Sequence, residues 1–397
     1  MGQEPSSGTC EPGFTAVRAV FDDVLLRHPG GAALCVYRDG KAVVDLWGGE
    51  AAPGVPWSAD TACVIWSVTK ALTALAVQQL VERGVVDLAA PVCTYWPEFA
   101  ARGKDAVTVR HVLTHTAGLP WWPGHERLVR MGDADGWDRT DEIADALAGS
   151  VLQWQPGALL GYHAFTYGWM LGEVVRRATG RDVTTHVAEE IARPLGARVA
   201  IGLPGEWEKD AAQLLPPRRP ADPAEATRFA DRWHPGTPQG HALLGAGPEA
   251  GYLVATTANS AAFRRGEVPG ANGFASARGI ARVFAALAHG GTLDGVAVTS
   301  PDSLRRHAAV HAEGYDVVAA GPARRALGYA RPAPTEMFSP YDRAFGHGGL
   351  GGQLGFADPD RRLSFAFLSN YPQWSDGLDP RLLRLVGSVY DCVWRLQ

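Results

Sequence analysis

The sequence lacks most of the signatures that would announce a common activity. No G-x-x-x-x-G-K-[ST] stretch occurs, which removes a P-loop, and no H-E-x-x-H, which removes the zinc-protease helix. G-x-S-x-G is absent too, so the nucleophile elbow of an α/β-hydrolase is not available. Cysteine is scarce and scattered: Cys10, Cys35, Cys63, Cys93 and Cys392 are odd in number and include no C-x-x-C pair. They read as reduced thiols of a cytoplasmic protein rather than a disulfide framework. A formal net charge of −5 and the lack of any basic tract give no pull toward nucleic acid or an anionic membrane. No apolar run reaches membrane-spanning length, and the opening Met1-Gly2-Gln3-Glu4-Pro5-Ser6-Ser7-Gly8 has neither the charged nor the apolar region of a signal peptide. The expectation is a cytoplasmic protein without a membrane or nucleic-acid partner.

What is present is ordinary globular material, with 46% hydrophobic and 20% charged residues over 397 positions. That length allows two or three domains, or one large domain with an insertion. Phe14, Val17, Val20, Phe21, Val24 and Leu25 recur at helical spacing. Ala32–Tyr37 and Ala42–Trp47 flank an Asp39-Gly40 pair, a strong hairpin signal. From about Ala71 to Pro194 helical patterns dominate, including Val107 to Pro120 and Phe165 to Val175. Residues 203–250 are rich in Pro, Gly and both charges and read as a long irregular excursion, of the kind that lines a site or acts as a lid. Ser276 to His289 is an amphipathic helix. Strand-like stretches follow at 344–349, 352–357 and 363–370, then a helix from Pro380 to Arg395. Sheet at both ends with helices between predicts an α/β (α+β) fold: an antiparallel sheet flanked by helices and built from both termini, with a mainly helical insertion. The predicted division is 1–75 plus 255–397 for the sheet domain and 76–254 for the insertion.

The stretch with most chemical content is Trp66-Ser67-Val68-Thr69-Lys70, between the apolar run Ala62–Ile65 and a helical run from Ala71 to Leu80. On a helix, Ser67 and Lys70 share one face. A desolvated amine beside a hydroxyl can take its proton as the hydroxyl attacks, and a helix N-terminus favours the negative charge that develops. The alternative is a solvated Ser and Lys in an ordinary first turn. His111 and His115 are four apart and raise a metal pair, but no third ligand lies nearby and a structural role fits both better. No metal or cofactor is expected.

Taken together, Ser67-Val68-Thr69-Lys70, Tyr162-His163-Ala164 and His347-Gly348-Gly349 resemble the three motifs of the serine β-lactamase and penicillin-recognising fold. Their order and wide separation match the class C-like branch and its esterase relatives, the family VIII carboxylesterases. The resemblance covers nearly the whole chain. It implies Ser67 as nucleophile, Lys70 as its partner and Tyr162 as the catalytic tyrosine, with an oxyanion hole from the backbone N–H groups of Ser67 and Leu350. It also brings His163, His347, Gly348 and Gly349 to the substrate. Two positions depart from the lactamase pattern. His347 replaces a lysine that would meet the substrate carboxylate, and Ala164 replaces an amide side chain.

Those departures favour ester over β-lactam chemistry. The leading expectation is a serine hydrolase that cleaves a small ester through a Ser67 acyl-enzyme. An acyltransferase of the same fold, passing the acyl group to an alcohol or amine, needs the same nucleophile and base. A third reading, from another class, is a binding or sensor module that acylates and never turns over. Trp66, Trp121, Trp122, Trp154 and Trp169 lie near the motifs and would either wall an apolar acyl pocket or fill core.

Overall fold

A computed structural model describes residues 6–245, 247–334, 338–373 and 379–396; the first five residues of the opening stretch lie outside them. In chain order the strands are β1 (Ser7–Cys10), β2 (Gly31–Arg38), β3 (Lys41–Ala52), β4 (Val55–Pro56), β5 (Cys63–Trp66), β6 (Val199–Ile201), β7 (Gly273–Ala275), β8 (Thr292–Leu293), β9 (Val296–Ala297), β10 (Ala312–Asp316), β11 (Gly321–Arg325), β12 (Ala330–Arg331), β13 (Phe345–Gly349), β14 (Gln353–Asp358) and β15 (Leu363–Ser369). The main sheet runs β1-β3-β2-β15-β14-β13-β12-β11-β10, with β4 paired to β3, and every pairing is antiparallel. β5-β7-β6 form a smaller second sheet.

The hairpin forms where Asp39-Gly40 predicts it. Both turn residues have positive φ, 51° and 76°, the mirror-image turn that suits strand twist, and Arg38 pairs with Lys41. β2 then lies beside β15, Ala32 opposite Ser369 and Arg38 opposite Leu363, so the sheet's centre is made from opposite ends of the chain. Its unbroken apolar sequence follows from burial on both faces. Ala33, Cys35 and Tyr37 join one core with Ile280 and Phe284 of the helix Ala277–Ala288. Leu34 and Val36 face the other way, toward Val17 and Phe21 of Thr15–Arg27 and Leu385 and Val389 of Pro380–Arg395.

Between β5 and β7 the described chain is helix and loop apart from β6. Two expectations change there. The helical pattern of 107–120 yields only Val109–Leu113, after which His115 takes a positive φ of 60° and the chain turns. The stretch 203–250 is irregular only in part: it carries Pro223–Arg232 and Pro238–Ala242, capped by the side chains of Asp222 and Thr237. A cap residue followed by proline at the first helical position is a start signal in both cases.

The helix Thr166–Thr179 begins hard against residues 269–270, since a Cβ on Gly168 would lie 2.0 Å from the Gly270 nitrogen. Gly168→Ala should therefore lower stability by about 1–3 kcal/mol, the usual cost of overpacking. Thermal and urea melts of the variant test this, and wild-type stability would mean that the helix start does not press on that segment.

Candidate active site

β5 ends in Trp66, which is 2% exposed and has a φ of 46°, an uncommon backbone for a bulky residue. Pairing holds the turn in place. Thr69 Oγ1 donates to the Trp66 carbonyl and accepts from Gly273 N at 2.8 Å. Ser67 therefore stands just outside the helix Thr69–Glu82 rather than within it. The spacing still works, because Lys70 N bonds Ser67 O at 3.0 Å and Lys70 Nζ lies 3.1 Å from Ser67 Oγ.

Lys70 is wholly buried, and its Nζ donates to the carbonyls of Ala164 and Gly270, each at 2.7 Å. Desolvation, and then the positive charge of Arg325, hold its pKa well below the ordinary lysine value. The carbonyl at 164 explains how alanine serves at that position: the main chain, not the side chain, meets Lys70. Gly270 is held by the neighbouring helix, where Thr73 Oγ1 bonds Pro269 O at 2.7 Å.

Tyr162 is presented by a loop moulded on residues 114–119. Gly157 N bonds Thr116 O, Gln153 N bonds Gly118 O and Gly161 N bonds His115 O. His115 also accepts from His163 N at 3.0 Å through Nδ1, and its ring lies 4.8 Å from that of Tyr162. His163 donates from Nδ1 to Gly161 O at 2.6 Å and accepts from Leu119 N at 3.0 Å, which fixes its tautomer. Burial takes its pKa down to about 4 and holds that of His115 well below the usual imidazole value. His111 caps its own helix, accepting from Thr108 N at 3.2 Å. The two histidines of the 111/115 pair thus have separate structural partners.

β13 supplies the third stretch. Gly349 is required by contact, since a Cβ there would lie 2.4 Å from Ile65 O at the end of β5. This contact sets Leu350 beside the Ser67 turn. His347 donates from Nδ1 to Gly348 O at 2.6 Å, and burial brings its pKa down to about 3, so the ring is neutral near pH 7.

Ser67, Tyr162, His347, Gly348, Gly349 and Leu350 all line one cavity of about 360 Å³. Lys70 reaches it through Ser67, whereas His163 lies behind the wall. The rest of the lining is largely apolar, with Met131, Phe165, Trp233, Leu243, Phe338 and Leu382 among its members. Of the five tryptophans named from sequence only Trp66 lines it. Trp122 and Trp169 pack edge to face at 5.8 Å in the core, Trp154 faces His163, and Trp121 stacks on His241 at 5.2 Å. Trp233, Gln239, Ala242 and Leu243 bring the 203–250 stretch onto the cavity, as a site-lining excursion should.

Sequence reading missed Arg325 and Asp316. Arg325 is 2% exposed, pairs with the fully buried Asp316 at 3.3 Å, and lies 5.5 Å from the centre of the Tyr162 ring. A signal was available. Arg324 and Arg325 are adjacent on a strand, so their side chains must take opposite faces and one of them must turn inward.

The chain is similar to the esterase/beta-lactamase LipL of Mycobacterium tuberculosis, 36% identical over 91% of this chain and 82% of that one. It is similar to the crystal structure of a family VIII carboxylesterase, at 36% identity and a TM-score of 0.83 over 98% of this chain and 99% of that one. A partial likeness, 36% identical over 36% of this chain and 38% of the other, is to the monacolin J acid methylbutanoyltransferase of Aspergillus terreus. The model of the Beta-lactamase family matches residues 18–388, and with a relative of this identity over nine-tenths of its length the chain belongs to that family.

Proposed function

We propose that the protein is a serine hydrolase that cleaves a small carboxylic ester through an acyl-enzyme on Ser67. The observation that carries this reading is the hydrogen-bond inventory at Lys70. A neutral amine has two N–H groups and one lone pair. Carbonyl oxygens only accept, so Ala164 O and Gly270 O take both N–H groups at 2.7 Å. The lone pair is left for Ser67 Oγ at 3.1 Å. Burial favours this neutral form. Lys70 then removes the hydroxyl proton as Ser67 Oγ bonds to the ester carbonyl carbon, and the backbone N–H groups of Ser67 and Leu350 receive the oxyanion. Tyr162, whose ring centre is 4.9 Å from Lys70 Nζ, completes the proton-handling unit; it protonates the leaving alcohol and activates the water that releases the acid. The apolar lining fits an uncharged acyl group, and the spread of five free thiols fits a cytoplasmic location.

Transfer to an alcohol or amine is the second reading. It is favoured by the likeness to the fungal acyltransferase and by the short helices of 203–250 over the cavity, which can order a larger acceptor and hold back water.

Ser67→Ala should abolish covalent labelling by a fluorophosphonate while leaving the circular dichroism spectrum unchanged. A label that persists on the variant, mapped to Cys63 or elsewhere by mass spectrometry, would overturn the nucleophile assignment.

Lys70→Ala and Tyr162→Phe should each lower kcat for an activated ester by roughly two to four orders of magnitude. The double variant should be little slower than the worse single one, because the two act as a unit. In the wild type the rate should hold near neutral pH and fall toward acid as Lys70 gains its proton. That limb lies well below the ordinary lysine value of about 10.4 because burial lowers the pKa. Additive losses in the double variant would assign the two groups to separate steps.

β-Lactam turnover should be slow beside ester cleavage. A neutral His347 cannot pair with the lactam carboxylate, and Ala164 offers no side-chain amide. Each lost hydrogen bond of that kind lowers the rate about ten- to a hundred-fold. Nitrocefin hydrolysis as fast as that of a simple phenyl ester would contradict the argument.

A further inference from the structure

A buried pair of charges beside Tyr162 has no task in the reaction proposed above. Asp316 ends β10 and Arg325 ends β11, and both are closed to solvent, at 0% and 2% exposure. Asp316 Oδ1 accepts from three backbone groups, Tyr162 N at 2.9 Å, Val318 N at 3.0 Å and Ala319 N at 2.8 Å, while Oδ2 meets Arg325. The carboxylate thus ties the Tyr162 loop to the β10–β11 turn. The same junction is bonded a second time, by Val317 N to Leu160 O at 2.9 Å. On the other side of the pair the guanidinium stands over the Tyr162 ring and lines the cavity.

Resting on the Ser67–Lys70–Tyr162 reading, we propose that Arg325 and Asp316 are positioning residues of this reaction: Asp316 sets the Tyr162 backbone, and Arg325 supplies a permanent positive charge that keeps the Tyr162–Lys70 unit ready to accept a proton. The logic is electrostatic. Around Lys70 and Tyr162 stand His115 from the turn after Val109–Leu113, His163 from the tyrosine loop, Tyr167 from its helix and His347 from β13. Burial keeps the three imidazoles neutral and Tyr167 protonated. Arginine alone among the basic side chains does not give up its proton there. Its charge opposes an ammonium on Lys70 and favours a phenolate on Tyr162, so both effects push the unit toward its basic form. Asp316 weakens this little, because three N–H groups already spread its charge and it lies on the backbone side of Tyr162. A buried ion pair is poor value as a stabiliser, since desolvation offsets most of the attraction. That leaves the placement of its positive end as the physical reason for the pair.

The experiment compares pH profiles of ester cleavage, and of the rate of Ser67 labelling by a fluorophosphonate, for four proteins: wild type, Arg325→Lys, Arg325→Gln, and Arg325→Gln with Asp316→Asn. The double variant removes both charges but keeps an oxygen to accept from Tyr162 N, so it is the one most able to fold. In it, and in Arg325→Gln if that folds, the acid limb should move to higher pH by about one unit or more, the size of effect a nearby charge produces. Much of the lost rate should return at high pH, with KM little changed. Arg325→Lys keeps the charge and should keep the wild-type midpoint, whatever its rate. A rate that drops equally at every pH with an unmoved midpoint means a purely structural pair and overturns the proposal, as does a shifted midpoint in Arg325→Lys matching that of Arg325→Gln. A wild type that never labels on Ser67 defeats the acyl-enzyme reading itself and this proposal with it.

Discussion

A primary amine cut off from water is the constraint around which this molecule is arranged. Lys70 is wholly buried, and it donates its two short hydrogen bonds to the carbonyls of residues 164 and 270, distant in sequence from it and from each other. Each of those carbonyls must be delivered to within 2.7 Å of one nitrogen. The tyrosine loop brings the first and is itself shaped by residues 114–119. The second arrives because Gly168 lets a helix start touch residues 269–270, and because Thr73 bonds Pro269. The positions of the helix, the loop and the β7 approach all meet at that atom.

Around it the protein keeps charge scarce. Three histidines near Lys70 are neutral by burial, and the tautomers of His163 and His347 are set by carbonyls that take the Nδ1 proton. In a medium of low polarity, an unneeded charge would act strongly on the reacting atoms. The arrangement removes the variable ones and keeps a fixed ion pair, whose cation faces Tyr162.

Much of this was legible in sequence, and the reasons are specific. The hairpin at Asp39-Gly40, the strands near the end of the chain and the Pro380–Arg395 helix follow from periodicity and turn chemistry, which are local properties. Ser67, Tyr162, His347 and Leu350 were found because three short motifs stand in order, and they do line one cavity. What escaped depends on tertiary placement. Val107–Pro120 carries a helical pattern, yet the backbone groups after Leu113 are needed to hold the tyrosine loop, so the helix stops. The helices of 203–250 were hidden by composition, although Asp222-Pro223 and Thr237-Pro238 mark their starts. β10 to β12 are short and broken by Gly and Pro, and Arg325 sits among them without any motif to announce it. The role of Ala164 was unreadable because it is played by a carbonyl, which every residue has.

The pairing of β2 with β15 also sets the order in which the molecule can be made. Residues 31–38 leave the ribosome before their neighbour across the sheet, residues 363–369, which comes more than three hundred positions later. Until then β2, built for burial on both faces, has β3 on one side and an open edge on the other. Such an edge invites pairing with other chains, and closing so long a loop is slow. The part of the cavity wall that β13 supplies, His347 to Gly349, is equally late. Nascent chains should therefore remain inactive and dependent on chaperones until residues 363–369 have been synthesised, and truncations that remove those residues should aggregate rather than yield partly working enzyme.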